Sequence, residues 1–314
     1  MARYSALLIS SVCLLFTLWG CHDGGLFSPI TEVDPGKLPN RAVSRLVIGC
    51  FISPQDTVIN VSVTETTPLY DSLKQNPVVR NARVILANAQ NDSISFVYSE
   101  RGYYHRATNK FLIVGGQRYT LTVTTPDGRR AVASCQVPAQ AVPIQEIRID
   151  SGFVRSVSIG TTSVDSTLER YAYIRWRDVP GTNYYRVYGV LDQTQIVPTV
   201  SESRIIPLSK LLYFSDESNR TMILSDQNAS GQVLQSANGI YWRGSYIGKL
   251  IKQKVTLYLL NTDKVYYNYY RSIATYQQAN DNPFAEPAPI TSNVTGGLGC
   301  FAAYNGSKMI VILM

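Results

Sequence analysis

From residue 45 onward the chain places apolar side chains in short bursts, most of them at every second position. Residues 45–52 (RLVIGCFI) form an apolar run, and residues 56–66 (DTVINVSVTET) alternate, with Val58, Ile59, Val61 and Val63 as the apolar members. A period of two lines one face of a strand. Residues 79–88, 93–98 and 102–105 give further bursts. Residues 119–124 and 130–137 flank Pro126-Asp127-Gly128, where Asp-Gly offers the positive φ of a tight hairpin. About seven short strands between residues 43 and 138 predict an immunoglobulin-like β-sandwich.

Residues 138–143 (PAQAVP) break the alternation and read as an interdomain linker. Beyond them, residues 144–150, 171–176 and 184–190 read as strands, with a turn at 178–182 (DVPGT). That strand–turn–strand arrangement is fibronectin-like. Residues 254–261 predict another strand. Residues 200–245 are polar and interrupted at Asn238-Gly239, and read as long decorated loops with short strands. The period then changes. Tyr266, Tyr269, Tyr270, Ile273 and Tyr276 recur at steps of three and four, which predicts a helix over 263–278 capped by Asp263 or Thr262. Its tyrosine face is expected to pack on the second domain. Residues 299–304 and 309–313, separated by Asn305-Gly306, predict a closing hairpin. The expected fold is mainly β, with two β-sandwich domains. One is immunoglobulin-like over 43–138; the other is β-rich over 144–314, with long loops and one helix near the C-terminus.

The first 42 residues follow other rules. An apolar run from Ala6 to Trp19 follows Arg3 and ends in Leu18-Trp19-Gly20-Cys21. A positive start, a short apolar stretch and a small residue before the cut make a secretory signal over 1–20. The run is shorter than the roughly 20 residues of a membrane-spanning helix. A cysteine directly after the cut marks a bacterial lipoprotein: the thiolate takes a diacylglycerol, and acylation of the new amino terminus adds a further chain such as palmitate. Cys21 is thus the expected lipidation site and mature N-terminus. Residues 21–42, rich in Gly, Pro and Asp, read as a flexible tether to the membrane.

Composition narrows the options. Charged residues make up 16% of the chain, against roughly 25% in an average soluble protein, and there are 21 tyrosines. Net charge is +7, but no dense Lys/Arg cluster accompanies it, so no nucleic-acid partner is expected. Cys50, Cys135 and Cys300 remain beyond Cys21, an odd number that excludes a complete disulfide framework. Two readings stand. A Cys50–Cys135 bridge would close a loop of about 85 residues, worth roughly 4–5 kcal/mol in the chain-entropy model. Buried free thiols acting as small apolar side chains is the other, and the expected one.

The residues offer little catalytic chemistry. The two histidines are His22, in the tether, and His105, in a Tyr-rich strand. No nucleophile elbow, zinc-binding helix motif or calcium loop occurs, so no catalytic residue, metal site or cofactor is expected. Gly115-Gly116 and Gly296-Gly297-Leu298-Gly299 lack the flanking strand and helix of a phosphate cradle. Trp176 alternates with apolar residues and reads as core. Tyr241, Trp242 and Arg243 lie in the loop-rich region and are the candidate contacts for a sugar, peptide or partner protein.

Near the C-terminus, Asn282-Pro283-Phe284-Ala285-Glu286-Pro287, then Ser292-Asn293-Val294, then Gly296-Gly297-Leu298-Gly299-Cys300-Phe301 form a signature. It resembles that of domain-of-unknown-function family 4249. The resemblance extends to the Cys21 segment, residues 45–52, residues 116–128 (GQRYTLTVTTPDG), residues 135–138, residues 178–185 (DVPGTNYY) and the Tyr-rich helix. Cys300 departs from it, standing where an aliphatic residue is usual. The resemblance implies a lipid-anchored outer-membrane protein of Bacteroidota, on the periplasmic or extracellular face. It further implies a non-enzymatic accessory or binding role beside a TonB-dependent β-barrel transporter of the starch-utilisation type. An independent surface glycan-binding lipoprotein is the alternative, and an unrecognised hydrolase a third reading.

Overall fold

The first two apolar bursts become strands β1 (Leu46–Ile52) and β2 (Val58–Glu65), paired antiparallel. Leu46, Ile48, Cys50 and Ile52 face the same core as Ile59, Val61 and Val63. The computed structural model describes residues 44–67, 78–157, 164–198, 203–214, 222–227, 230–243, 249–280, 285–286 and 288–313. Strands β3 (Arg83–Asn88), β4 (Ser93–Ser95), β5 (Val97–Ser99), β6 (Tyr103–Ala107), β7 (Arg118–Thr124) and β8 (Arg130–Gln136) follow. The single burst at 93–98 splits at the buried Phe96: β4 pairs β3 in one sheet, while β5 pairs β6 in another. The chain thereby crosses between the two layers of a sandwich. Between β7 and β8, Gly128 has φ 85°, as the Asp-Gly turn requires.

The second half is longer-stranded than its sequence suggests. Strands β9 (Ile144–Val157), β10 (Val164–Arg177) and β11 (Tyr184–Pro198) run 14 or 15 residues. Residues 203–243 supply β12 (Ser203–Leu211), β13 (Tyr213–Phe214), β14 (Met222–Ser225), β15 (Val233–Gln235) and β16 (Gly239–Arg243). Strand β17 (Lys249–Thr262), helix α1 (Lys264–Asn280) and strand β18 (Gly297–Leu313) complete the order. The fold is mainly β, with one helix among the described residues.

A four-stranded sheet, β4-β3-β7-β8, and a five-stranded sheet containing β13-β16-β10-β15 with β9 on β10, both pack against one nine-stranded sheet. That large sheet runs β12-β11-β17-β18-β1-β2-β6-β5, with β14 also on β11. Strand β18 holds it together. Gly297–Ala303 pairs parallel with β1, and Tyr304–Leu313 pairs antiparallel with β17. The expected closing hairpin is therefore replaced by one continuous 17-residue strand. Asn305-Gly306 does not turn. Asn305 is buried, accepting from Gln55 at 2.8 Å and donating to the Pro138 carbonyl at 3.1 Å. A Cβ on Gly306 would meet the Leu260 side chain at 2.9 Å, so glycine serves close packing here.

Two core clusters do separate near residue 138, one holding residues 46–137 and the other residues 142–259. The expected layout is corrected at its end, because Val294, Phe301 and Ala303 belong to the first cluster rather than to a domain spanning all of 144–314. Parallel pairing with β1 carries β18 across. A third cluster lies under α1, where Tyr266, Leu260, Cys300 and Ala302 are buried beside Phe51, Tyr269, Tyr270 and Tyr304. The helix thus packs on β1 as well as on the second half, which widens the expected contact. Asp263 caps it, accepting the Tyr266 N–H at 2.7 Å. Cys50, Cys135 and Cys300 are free buried thiols, so the Cys50–Cys135 bridge does not form. Burial pushes all three thiols up, and they pack as small apolar groups.

Candidate functional site: a polar cleft where the segments converge

A concavity lies beside the N-terminus of α1. It is a cleft of about 670 Å³, within the range of ligand sites, and four separate segments line it. The first is the start of β7, with Gly116 and Arg118. A Cβ on Gly115 would stand 2.3 Å from the Ala139 carbonyl oxygen, so only glycine lets the linker pass this close. The Gly116 N–H donates to Val137 O, and the Val137 N–H to Gln117 O, both at 2.9 Å. The second segment is the end of β8 and the linker, residues 134–140.

The third is the β10–β11 turn, from Val179 to Tyr184. Its shape comes from two buried carboxylates. Asp178 accepts the Tyr185 hydroxyl at 2.6 Å and the Gly231 N–H at 2.8 Å. Asp226 accepts the Asn183 N–H at 2.8 Å. The Asn183 amide donates back to the carbonyls of Val179 and Gly181, and Gly181 takes φ 105°. The turn is thereby rigid and presents Thr182 to the cleft.

The fourth is the β17–α1 junction. The Asn261 amide donates to Gln140 O and the Thr262 hydroxyl to Tyr184 O, both at 3.2 Å. Asp263 is the hub. Besides Tyr266, its carboxylate accepts the Ala303 N–H at 3.2 Å and also bonds the backbone of Gln136 and Val265. Helix, β18 and β8 meet on this one side chain. Burial outweighs these bonds and raises the Asp263 carboxyl to about 6. Two cations on the cleft wall, Arg118 and Lys264, are exposed and form no ion pair among the described residues. The cleft therefore offers amides, hydroxyls and two unpaired cations, suited to a polar segment carrying negative charge.

A second cluster sits under the same helix. The Arg186 guanidinium lies 4.1 Å from the Tyr270 ring centroid, 5.6 Å from that of Tyr266 and 5.8 Å from that of Tyr188, and it donates to the Tyr266 hydroxyl. Tyr188 stacks on Tyr258 with centroids 4.5 Å apart. Nearby, the Tyr304 hydroxyl donates to Asp56 at 3.2 Å, and burial raises Asp56 to about 6. This arrangement holds the helix on the sheet through cation–π contacts.

The residues singled out from sequence do not meet here. Tyr241 is buried in the second core, which corrects its reading as a ligand contact: on β16 its side chain points between the sheets. Trp242 is half-buried, with the Arg170 guanidinium 5.3 Å from its ring centroid. Arg243 pairs through its backbone with Glu169, and its side chain lies outside the description. Cys21 and the tether also lie outside the described residues. No helix among those residues is long and apolar enough to cross a membrane. The Gly296–Gly299 stretch proves to be a packing device, since Cβ atoms on Gly296 and Gly299 would strike the backbone oxygens of Arg130 and Ile48.

Comparison with known proteins adds a family. The model described as "Domain of unknown function (DUF4249)" matches residues 30–309. No curated protein matches the chain. Among solved structures, a chain titled "Biofilm associated protein - BSP domain" aligns at 7% identity and a TM-score of 0.15. The alignment covers 85% of this chain and 58% of that one, a similarity too slight to carry a fold or a function.

Proposed function

This chain belongs to the DUF4249 family, and from that premise we propose that it is a lipid-anchored outer-membrane protein that binds a TonB-dependent β-barrel transporter. Its role is accessory and non-enzymatic, and the cleft beside α1 receives a polar, acidic segment of the barrel. One observation carries this reading. The cleft is lined by residues from 116–128, 135–138, 178–185 and the start of the tyrosine helix, four of the separate segments that carry the family resemblance, while the 282–301 signature and residues 45–52 lie outside its lining. Segments so far apart in sequence converge on one polar concavity whose cations form no ion pair among the described residues. Localisation and partner come from the family by analogy and from the Cys21 segment. The reading as an independent glycan binder is weaker, because of its candidate contacts Tyr241, Trp242 and Arg243 the first belongs to the core and Trp242 is half-buried.

Purification of the acylated protein from native membranes tests the proposal. A β-barrel transporter is expected to co-purify, and the double charge reversal Arg118→Glu/Lys264→Glu is expected to reduce its yield about tenfold, as loss of rim complementarity does. Both side chains are exposed, so stability should be unchanged. A barrel that never co-purifies, or one retained equally by the double variant, contradicts it.

A further inference from the structure

The helix covers only part of the outer face of the large sheet. The pairing register identifies the rest. Across β12, β11, β17 and β18, one row is Leu211, Val190, Thr256 and Ile310, and the next is Ser209, Asp192, Lys254 and Ile312. Ile205 lies further along β12 on the same face, opposite Ile196. Ile205 is 67% exposed and Ile312 59%, and Leu211 and Ile310 are about half exposed. The same face carries Lys252, Lys254 and Lys308. Its acid is Asp192, bonded to Lys254 at 2.7 Å, while Lys252 and Lys308 are exposed and unpaired among the described residues. With strands about 4.8 Å apart and about 3.4 Å per residue, these side chains span roughly 15 by 20 Å. Within that area the exposed aliphatic side chains are interleaved with Ser209, Asp192 and the lysines around a buried Thr256, so the face is amphipathic.

We propose that this uncovered face is a docking surface for an anionic lipid bilayer, a second attachment independent of any acyl chain. Three features select that occupant. The exposed apolar members are aliphatic, whereas protein hot spots favour Trp, Tyr and Arg over Leu and Val. The face is net positive, so a second copy would set like charges together, while an anionic headgroup layer is complementary. Strand addition at the β12 edge is disfavoured by Pro207, which has no N–H to offer in mid-strand. Aliphatic side chains dip among the acyl chains while the lysines reach the headgroups. This inference does not depend on the cleft or on its transporter.

The test uses the mature chain carrying Cys21→Ser, so that no acyl chain contributes. It is sedimented with vesicles of phosphatidylcholine alone and of phosphatidylcholine mixed with phosphatidylglycerol. Binding is expected to the anionic vesicles and to weaken with salt. Lys252→Glu/Lys308→Glu should weaken it about 25-fold, at roughly fivefold per lysine. Ile310→Ser/Ile312→Ser should weaken it about tenfold, since binding scales with buried apolar area. All these side chains are exposed, so unchanged thermal midpoints will show that the variants fold. Absent binding, equal binding to both vesicles, or binding unaffected by either pair overturns the inference. So does a pair that spares vesicle binding but strips a co-purifying protein, which would assign the face to that protein.

Discussion

Gly299→Ala should cost about 4 kcal/mol or more of stability and leave much of the chain unfolded in mild denaturant. Gly299 sits at φ 110°, a region that L side chains rarely enter. A Cβ there would lie 2.0 Å from the Ile48 oxygen and 2.9 Å from its carbon and nitrogen. All three are backbone atoms of the β1 residue paired with Gly299, so no side chain can swing aside. Relief would require β18 to leave β1, which opens the first core at Phe301 and Ala303. Gly128→Ala is the internal control. Its φ is 85°, but nothing lies within 4 Å of the added Cβ, so only backbone strain of about 1 kcal/mol applies. Urea midpoints of the two variants decide the matter. Equal penalties would mean that β1 and β18 do not pair as described.

The wild-type protein should become more stable as pH falls from about 8 to about 5, by about 1.4 kcal/mol from Asp263 alone, roughly half of the about 3 kcal/mol that is complete only below the unfolded value. The folded state holds the Asp263 carboxyl at about 6, against an ordinary 3.8, so it binds the proton more tightly than the unfolded chain does. A raised folded pKa gives a contribution that is complete below the unfolded value and lost as pH rises through the folded one. Asp56, also raised to about 6, acts in the same direction. Glu65, Asp127 and Asp192 are held below the usual carboxylate range by hydrogen bonds from Arg129, Thr125 and Lys254 respectively, and titrate beneath this window. Asp263→Ala strands the Tyr266 and Ala303 N–H groups and should cost about 3 kcal/mol at about pH 5, less at pH 8. Denaturant titrations at the two pH values measure both effects. Stability that falls on acidification, or a variant penalty that grows with pH, would contradict the hub.

What was legible in the sequence depended on how local its cause was. β1, β2, β7 and β8 show in a period of two because each buries one face on one core. The helix shows because its steps of three and four have no competing period, and Asp263 was visible as its cap. β18 was hidden by Asn305-Gly306, whose turn preference yields to packing against Gln55 and Leu260. The length of β9–β12 was hidden too. Their distal halves bury little, as the fully exposed β12 shows, so alternation fades and the segment reads as polar loop. The cleft could not be read at all, because Arg118, Thr182 and Lys264 meet only after β18 has crossed between the cores. Tyr241 misled for the opposite reason: its polar neighbourhood in sequence is a buried strand in the fold.

Site-directed photo-crosslinking tests the central claim, engagement of a membrane partner through the cleft, most directly. A photoreactive residue replaces Thr182, exposed on the cleft wall, in the full chain produced in its native cells. A control probe replaces Gln90, exposed in the β3–β4 connection. Irradiation is expected to give an adduct with a β-barrel transporter from position 182 and none from position 90. No adduct at 182, or the same adduct at both positions, would contradict a binding role for the cleft.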